Sequence, residues 1–178
     1  MKVTLLVPTL NEEKGIGPTL DAVDRQAVSR RGWQLELLVI DGASKDRTRE
    51  EAEARGARVV VEPRRGYGRA YKRGFAEATG DVIVTADADG TYPVERLQDF
   101  VDELLRRDLD FLNCDRYGEL KQGAMSAQHR FGNWVLSTTA RVLYFVRIRD
   151  SQSGMWVIRR SALASVPYES LSEGMAFS

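Results

Sequence analysis

Two aspartates one residue apart, Asp87 and Asp89, close the apolar run in VIVTADADGTYP, residues 82–93. A strand alternates its side chains, so residues i and i+2 face the same way. With Asp87 at a strand end and Asp89 just past it, both carboxylates can reach one ion. Hard oxygen ligands suit Mg²⁺ or Mn²⁺, with water and phosphate oxygens completing the shell. Ala88 between them is small and leaves room for a ribose or sugar. The same letters also fit a second chemistry, in which the first aspartate attacks a phosphate ester and the second handles the leaving group's proton. Taken singly, each aspartate also suits an ordinary helix cap.

The elements that must position these residues alternate between strand and helix. KVTLLVP, LELLVID, ARVVVE, DVIVTAD and LDFLNCDR read as strands. Between them lie a turn and helix in NEEKGIGPTLDAVDRQAV and a polar helix in SKDRTREEAEARG, with Ser44 as N-cap and Gly56 past its end. GYGRAYKRGFAEATG follows as a helix closed by Gly80, and VERLQDFVDELLRR as another. Strands that are almost continuously apolar predict a mostly parallel central sheet with helices on both faces. Ligands of such sheets sit beyond the carboxyl ends of the strands. That edge gathers Asn11 and Glu12, Asp41, Asp87 and Asp89, and Asp115 and Arg116, a set whose acids suit a cation. After residue 117 the rhythm changes to a long, aromatic and basic stretch. GMWVIRR then adds one more strand, with a helix from Ser161.

The totals narrow the chemistry. A chain of 178 residues with 43% apolar and 29% charged content suits one globular domain. Zero formal net charge argues against a dedicated nucleic-acid partner. One cysteine, Cys114, and one histidine, His129, exclude an internal disulfide and multi-His zinc sites. MKVTLLVPTL is too short an apolar run for a signal peptide, and no stretch of about 18 apolar residues offers a membrane span. The expected compartment is the cytoplasm. VVVEPRRGYGRAY has GxG after a strand, but Tyr71 stands where a dinucleotide fingerprint needs its third glycine. Gly66, Gly68 and Gly74 are expected to serve a tight turn and close packing. Between His129 and Arg149, arginines 130, 141, 147 and 149 alternate with Phe131, Trp134, Tyr144 and Phe145. This reads as an amphipathic helix burying an apolar stripe, and also as a surface for lipid headgroups.

LLVPTLNEE, LLVIDGASKDRT and GYGRAYKRGFAEATGDVIVTADADGTYPVE, followed by HRFGNWVL and DSQSGMWVIRRSAL, resemble in order and spacing the family-2 inverting glycosyltransferases of GT-A fold. Within that family the likeness is to the dolichyl- or polyprenyl-phosphate sugar synthases. It implies one catalytic domain over 1–178, with a nucleotide-sugar-binding part (1–117) and an acceptor-side part (118–178). Pro8, Leu10, Asn11 and Glu12 match the loop lining base and ribose, Asp41 the acid that contacts the base, and Asp87, Ala88 and Asp89 the metal and diphosphate site. Arg116 matches the arginine that steadies phosphates, with Arg130 beside it. Asp150, Ser153, Gly154 and Arg160 match the acceptor-side segment, Asp150 being the base if the acceptor is a hydroxyl. The implied partners are a UDP- or GDP-sugar, a polyprenyl or dolichyl phosphate, and the cytoplasmic membrane face, with Mg²⁺ or Mn²⁺ as cofactor. A saccharide or other soluble acceptor is the alternative.

There are departures. Asp41 is followed by Gly42 where the family has a second acid, Thr91 replaces a glutamine, and Leu10 replaces a tyrosine. DADGT also matches the first motif of haloacid-dehalogenase-like phosphatases. Those enzymes open on that motif, whereas here several strands precede it, Lys121 is the one later lysine and no Asp-Asp pair follows. The chain stops at EGMAFS, inside a segment that relatives of that family continue.

Overall fold

The computed structural model describes residues 1–114, 153–170 and 172. Six strands form one sheet in the order β3-β2-β1-β4-β6-β5. They are β1 (Lys2–Thr9), β2 (Gln34–Asp41), β3 (Arg58–Val61), β4 (Val82–Thr85), β5 (Phe111–Asn113) and β6 (Trp156–Arg159). β1 runs parallel to β2 and β4, and β2 to β3, while β6 is antiparallel to both β4 and β5. The sheet is mostly parallel, as expected, but β6 is inserted between two strands that are neighbours in sequence.

Helices cover both faces. α1 (Ile16–Asp21), α2 (Arg25–Arg30), α3 (Thr48–Glu53), α4 (Tyr67–Glu77), α5 (Leu97–Arg106) and the short α6 (Arg160–Leu163) occur among the described residues. Alternation along β1 sends Val3, Leu5 and Val7 into one core with Ile16, Leu20, Leu97 and Val101. Leu6 points into the other, with Tyr71, Phe75, Ile83 and Ile158. Burial on both faces is why these strands are apolar throughout. α4 lies close on the sheet because Gly74 has no side chain: a Cβ there would stand 2.4 Å from Leu6 Cδ1.

Three local expectations change. The first helical stretch divides into α1 and α2, since Asp24 restarts it by accepting the Ala27 N–H at 2.8 Å. Ser44 does not cap α3, which begins four residues later. Its hydroxyl goes to Asp41 (2.5 Å), a charged acceptor that outcompetes a helix end. Gly80 does not close α4, whose C-cap is Ala78. Its N–H donates to Thr4 Oγ1 (2.9 Å), and a Cβ would meet the Thr4 backbone nitrogen at 2.7 Å, so the glycine lets the chain pass against β1. Gly56 does follow α3 with φ +77°.

The amino ends of the strands carry a polar clamp. Glu36 accepts from Thr4 Oγ1 (2.6 Å), from the Thr79 N–H (3.0 Å) and hydroxyl (2.9 Å), and from Arg58 Nη2 (3.1 Å). Burial alone would push its carboxyl up, but these donors win and hold it down at about 2.

Candidate active site

Parallel pairing of β1 with β2 and β4 brings three strand ends to one edge. There the loop after β1 is stitched to the loop after β2. Gly42 N–H donates to the Thr9 carbonyl (2.8 Å), Asn11 N–H to Ser44 Oγ (2.9 Å) and Glu12 N–H to Thr48 Oγ1 (2.7 Å). In return, Asn11 Oδ1 accepts the Lys45 N–H at 2.9 Å. Asn11 has φ +57°, a left-handed conformation that asparagine tolerates better than most residues. Leu10 and Asn11 stand exposed at the rim, and Pro8 is half-buried behind them. Asp41, expected to contact a base, is instead fully buried, its oxygens engaged by the Ser44 hydroxyl and N–H (3.0 Å). It braces the loop from beneath.

The DAD stretch leaves β4 beside this rim. Ala88 is buried at 3% exposure, its methyl packed into the core. Its carbonyl accepts from Thr19 Oγ1 (2.9 Å), and a Cβ on Gly15 would come within 2.4 Å of that oxygen. α1 is thus seated directly under the motif. Asp89 is exposed and accepts the Thr91 N–H at 2.9 Å, across Gly90 with φ +75°. Asp87 is half-buried and accepts from the Tyr67 hydroxyl at 3.0 Å. Glu12 shares the neighbourhood: burial and then the charges of Asp89, Asp46 and Asp87 raise its carboxyl above the ordinary range. The residues therefore fit a hard divalent cation: oxygen donors only, in a field already too negative for a nearby glutamate. Among the described residues no group of three or more potential ligands could enclose an ion by itself. Such a site suits a cation that keeps water and substrate oxygens in its shell.

Sequence reasoning missed the layer behind Asp87. The Tyr67 hydroxyl is 3.1 Å from that of Tyr71, and the rings meet edge to face with centroids 4.9 Å apart. Burial first, and then the Asp87 charge, push the Tyr67 phenol well above its usual range, so it stays a proton donor. Gly154 closes the cluster, its carbonyl accepting from Thr85 Oγ1 (2.7 Å) and its N–H donating to the Tyr92 hydroxyl (2.5 Å). The one signal for Tyr67 was its place in GYG, where glycines took the attention.

The acceptor-side expectations divide. Ser153 is buried at 1% exposure, donating to the Cys114 carbonyl (2.6 Å) and accepting the Met155 N–H (3.2 Å), so it ties β5 to β6 and is not available to a ligand. Cys114 is buried beside it, its thiol pushed up to about 12. Arg160 is exposed, but its backbone N–H donates to the Asp81 carbonyl before β4. Six residues of extended chain, roughly 20 Å, separate that end of the sheet from Asp87, so Arg160 does not join the site. Arg116, Arg130, Asp150 and the basic-aromatic stretch 129–149 lie outside the described residues.

A family model for glycosyl transferase family 2 matches residues 4–166. The chain belongs to glycosyl transferase family 2. It is 35% identical over 177 residues to the low-salt glycan biosynthesis hexosyltransferase Agl6 of Haloferax volcanii, a match covering 98% of this chain and 42% of that protein. With the dolichyl-phosphate hexose transferase of the same organism it shares 34% over 168 residues, 93% of this chain and 70% of the other. Among solved structures, glucosyl-3-phosphoglycerate synthase from Mycobacterium tuberculosis, in complex with Mn²⁺, UDP and phosphoglyceric acid, matches with a TM-score of 0.70 at 23% identity. That match covers 98% of this chain and 60% of that one, and it is a likeness of GT-A fold. This family-2 chain spans less than half the length of Agl6. Membership decides against the phosphatase reading of Asp87.

Proposed function

We propose that this family-2 chain transfers a hexosyl unit, with inversion, from a UDP- or GDP-sugar to a polyprenyl or dolichyl phosphate, with a divalent cation bound. The observation that carries the reading is the position of Asp87 and Asp89 just beyond β4, at the carboxyl edge of the sheet beside the loop that follows β1. Support for the acceptor comes from the two Haloferax volcanii relatives, one named a dolichyl-phosphate hexose transferase and the other a hexosyltransferase of glycan biosynthesis. A Mn²⁺ and UDP complex of a protein with this fold is compatible with the cofactor and the donor half.

In this reading Asp87 and Asp89 hold Mg²⁺ or Mn²⁺ against the donor's diphosphate. The bound ion would neutralise charge that builds on the departing diphosphate as its bond to C1 breaks. Leu10, Asn11 and Glu12 shape the rim for base and ribose, while Asp41 and Ser44 hold that rim in place from below. An acceptor phosphate, already largely ionised with a second pKa near about 6, attacks C1 through one oxygen and needs little help from a base. Alignment is then the main demand on the protein. Arg116, with Arg130, supplies it by gripping the lipid phosphate. Asp150 is the base if the acceptor is a hydroxyl.

The test is product formation. Chain and Mn²⁺ are incubated with a short polyprenyl phosphate and UDP- or GDP-hexoses, and glycolipid is sought by mass spectrometry. A hexosyl-phosphoryl-polyprenol from one donor supports the reading. Transfer to a soluble hydroxyl acceptor, with none to the lipid phosphate, would replace the acceptor half.

A further inference from the structure

Behind the carboxylates, a phenol and a glycine flank the Asp87 side chain, and a second phenol backs the first. Tyr67, at the first turn of α4, comes to Asp87 from across the sheet's second core, twenty positions away in sequence. Its hydroxyl donates to Asp87 Oδ1 (3.0 Å) and is itself within 3.1 Å of the Tyr71 hydroxyl. Tyr71 is fully buried, its ring tilted against Phe75 and Trp156 with centroids 5.8 and 5.2 Å away. Its hydroxyl reaches the Gly154 carbonyl at 3.5 Å. On the other flank, a Cβ at Gly154 would lie 3.3 Å from Asp87 Oδ2. One oxygen of Asp87 is therefore held by a phenol and the other bounded by backbone.

We propose that Tyr67 is a positioning residue for the cation: its hydroxyl locks the rotation of the Asp87 carboxylate, with Tyr71 and Gly154 holding Tyr67 in turn. The inference rests on the transferase reading, because it requires a cation at Asp87. A carboxylate free to turn must lose that freedom on binding an ion. One already fixed by a charge-assisted hydrogen bond does not. Such outer partners of ligands are commonly worth about ten- to a hundredfold in metal affinity. Tyr67 touches neither donor nor acceptor in this account and acts only through Asp87.

The experiment measures Mn²⁺ binding directly, by electron paramagnetic resonance of free Mn²⁺ in the presence of saturating UDP or GDP, whichever the wild type binds. Tyr67→Phe, which keeps the ring and its contact with Tyr71, should weaken Mn²⁺ binding about tenfold or more. The thermal midpoint should stay close to wild type. Against an Asp87→Asn background the same substitution should add little, since the two act as one unit. Undiminished Mn²⁺ binding by Tyr67→Phe, or an equal loss in the Asp87→Asn background, would overturn the proposal alone. Absence of metal-linked nucleotide binding in the wild type would overturn the transferase reading and this inference with it. If Tyr67→Phe proves unstable, Tyr71→Phe serves in its place, with a smaller loss of Mn²⁺ affinity expected and none contradicting the proposal.

Discussion

Asp87 answers to two neighbours at once, the Tyr67 hydroxyl on one oxygen and Gly154 beside the other. This gives Gly154 a sharp sensitivity. A methyl there would sit 3.1 Å from the Tyr92 hydroxyl, 3.2 Å from that of Tyr67 and 3.3 Å from Asp87 Oδ2. Gly154→Ala should lower stability by about 1–3 kcal/mol through overpacking, measured by urea unfolding. It should also weaken metal-linked nucleotide binding, because Asp87 is one of the groups that must give way. At this scale the sequence was informative wherever spacing alone sets direction. The acidic pair follows directly on the apolar run of β4, which ends at Thr85, so the sequence places Asp87 and Asp89 just beyond a strand end, with Ala88 buried between them. Where partners are remote, spacing was silent. Tyr67 meets Asp87 only after α4 folds onto the sheet, and Arg160 leaves the site only because β6 runs antiparallel to β4. Asp41 was recognised as important, but a letter cannot tell a rim ligand from a buried brace.

Strands were the most legible elements, because burial on both faces writes a continuous apolar run that few other structures need. Their order was less so: nothing local in GMWVIRR says that it enters between β4 and β5. Helix ends depended on competition between donors and acceptors, as Ser44 and Gly80 show. The clamp at the opposite end of the sheet makes a separate prediction for the elements it joins. Glu36 lies at about 2 when folded against an ordinary 4.5. Its folded value is depressed, so its stabilisation is complete above about 4.5 and fades as pH falls toward 2. Urea unfolding between pH 7 and pH 3 should show a steeper acid loss in the wild type than in Glu36→Gln. Parallel acid limbs would contradict this role.

Over the described residues the two ends of one sheet do different work. At the amino ends, Glu36 with Thr4, Thr79 and Arg58 fastens β1, β2 and the chain entering β4. At the carboxyl ends, acids gather closely enough that burial and the charges of Asp89, Asp46 and Asp87 raise the Glu12 carboxyl. No helix among the described residues is long and apolar enough to cross a membrane. The most direct test of the whole account is calorimetric titration with UDP and with GDP, each with and without Mn²⁺, on wild type and Asp89→Ala. Asp89 is exposed, so the variant should keep its thermal midpoint. The account predicts that one nucleotide binds only when Mn²⁺ is present, and that Asp89→Ala abolishes this binding. Binding that ignores both metal and substitution, or no binding of either nucleotide, would contradict it.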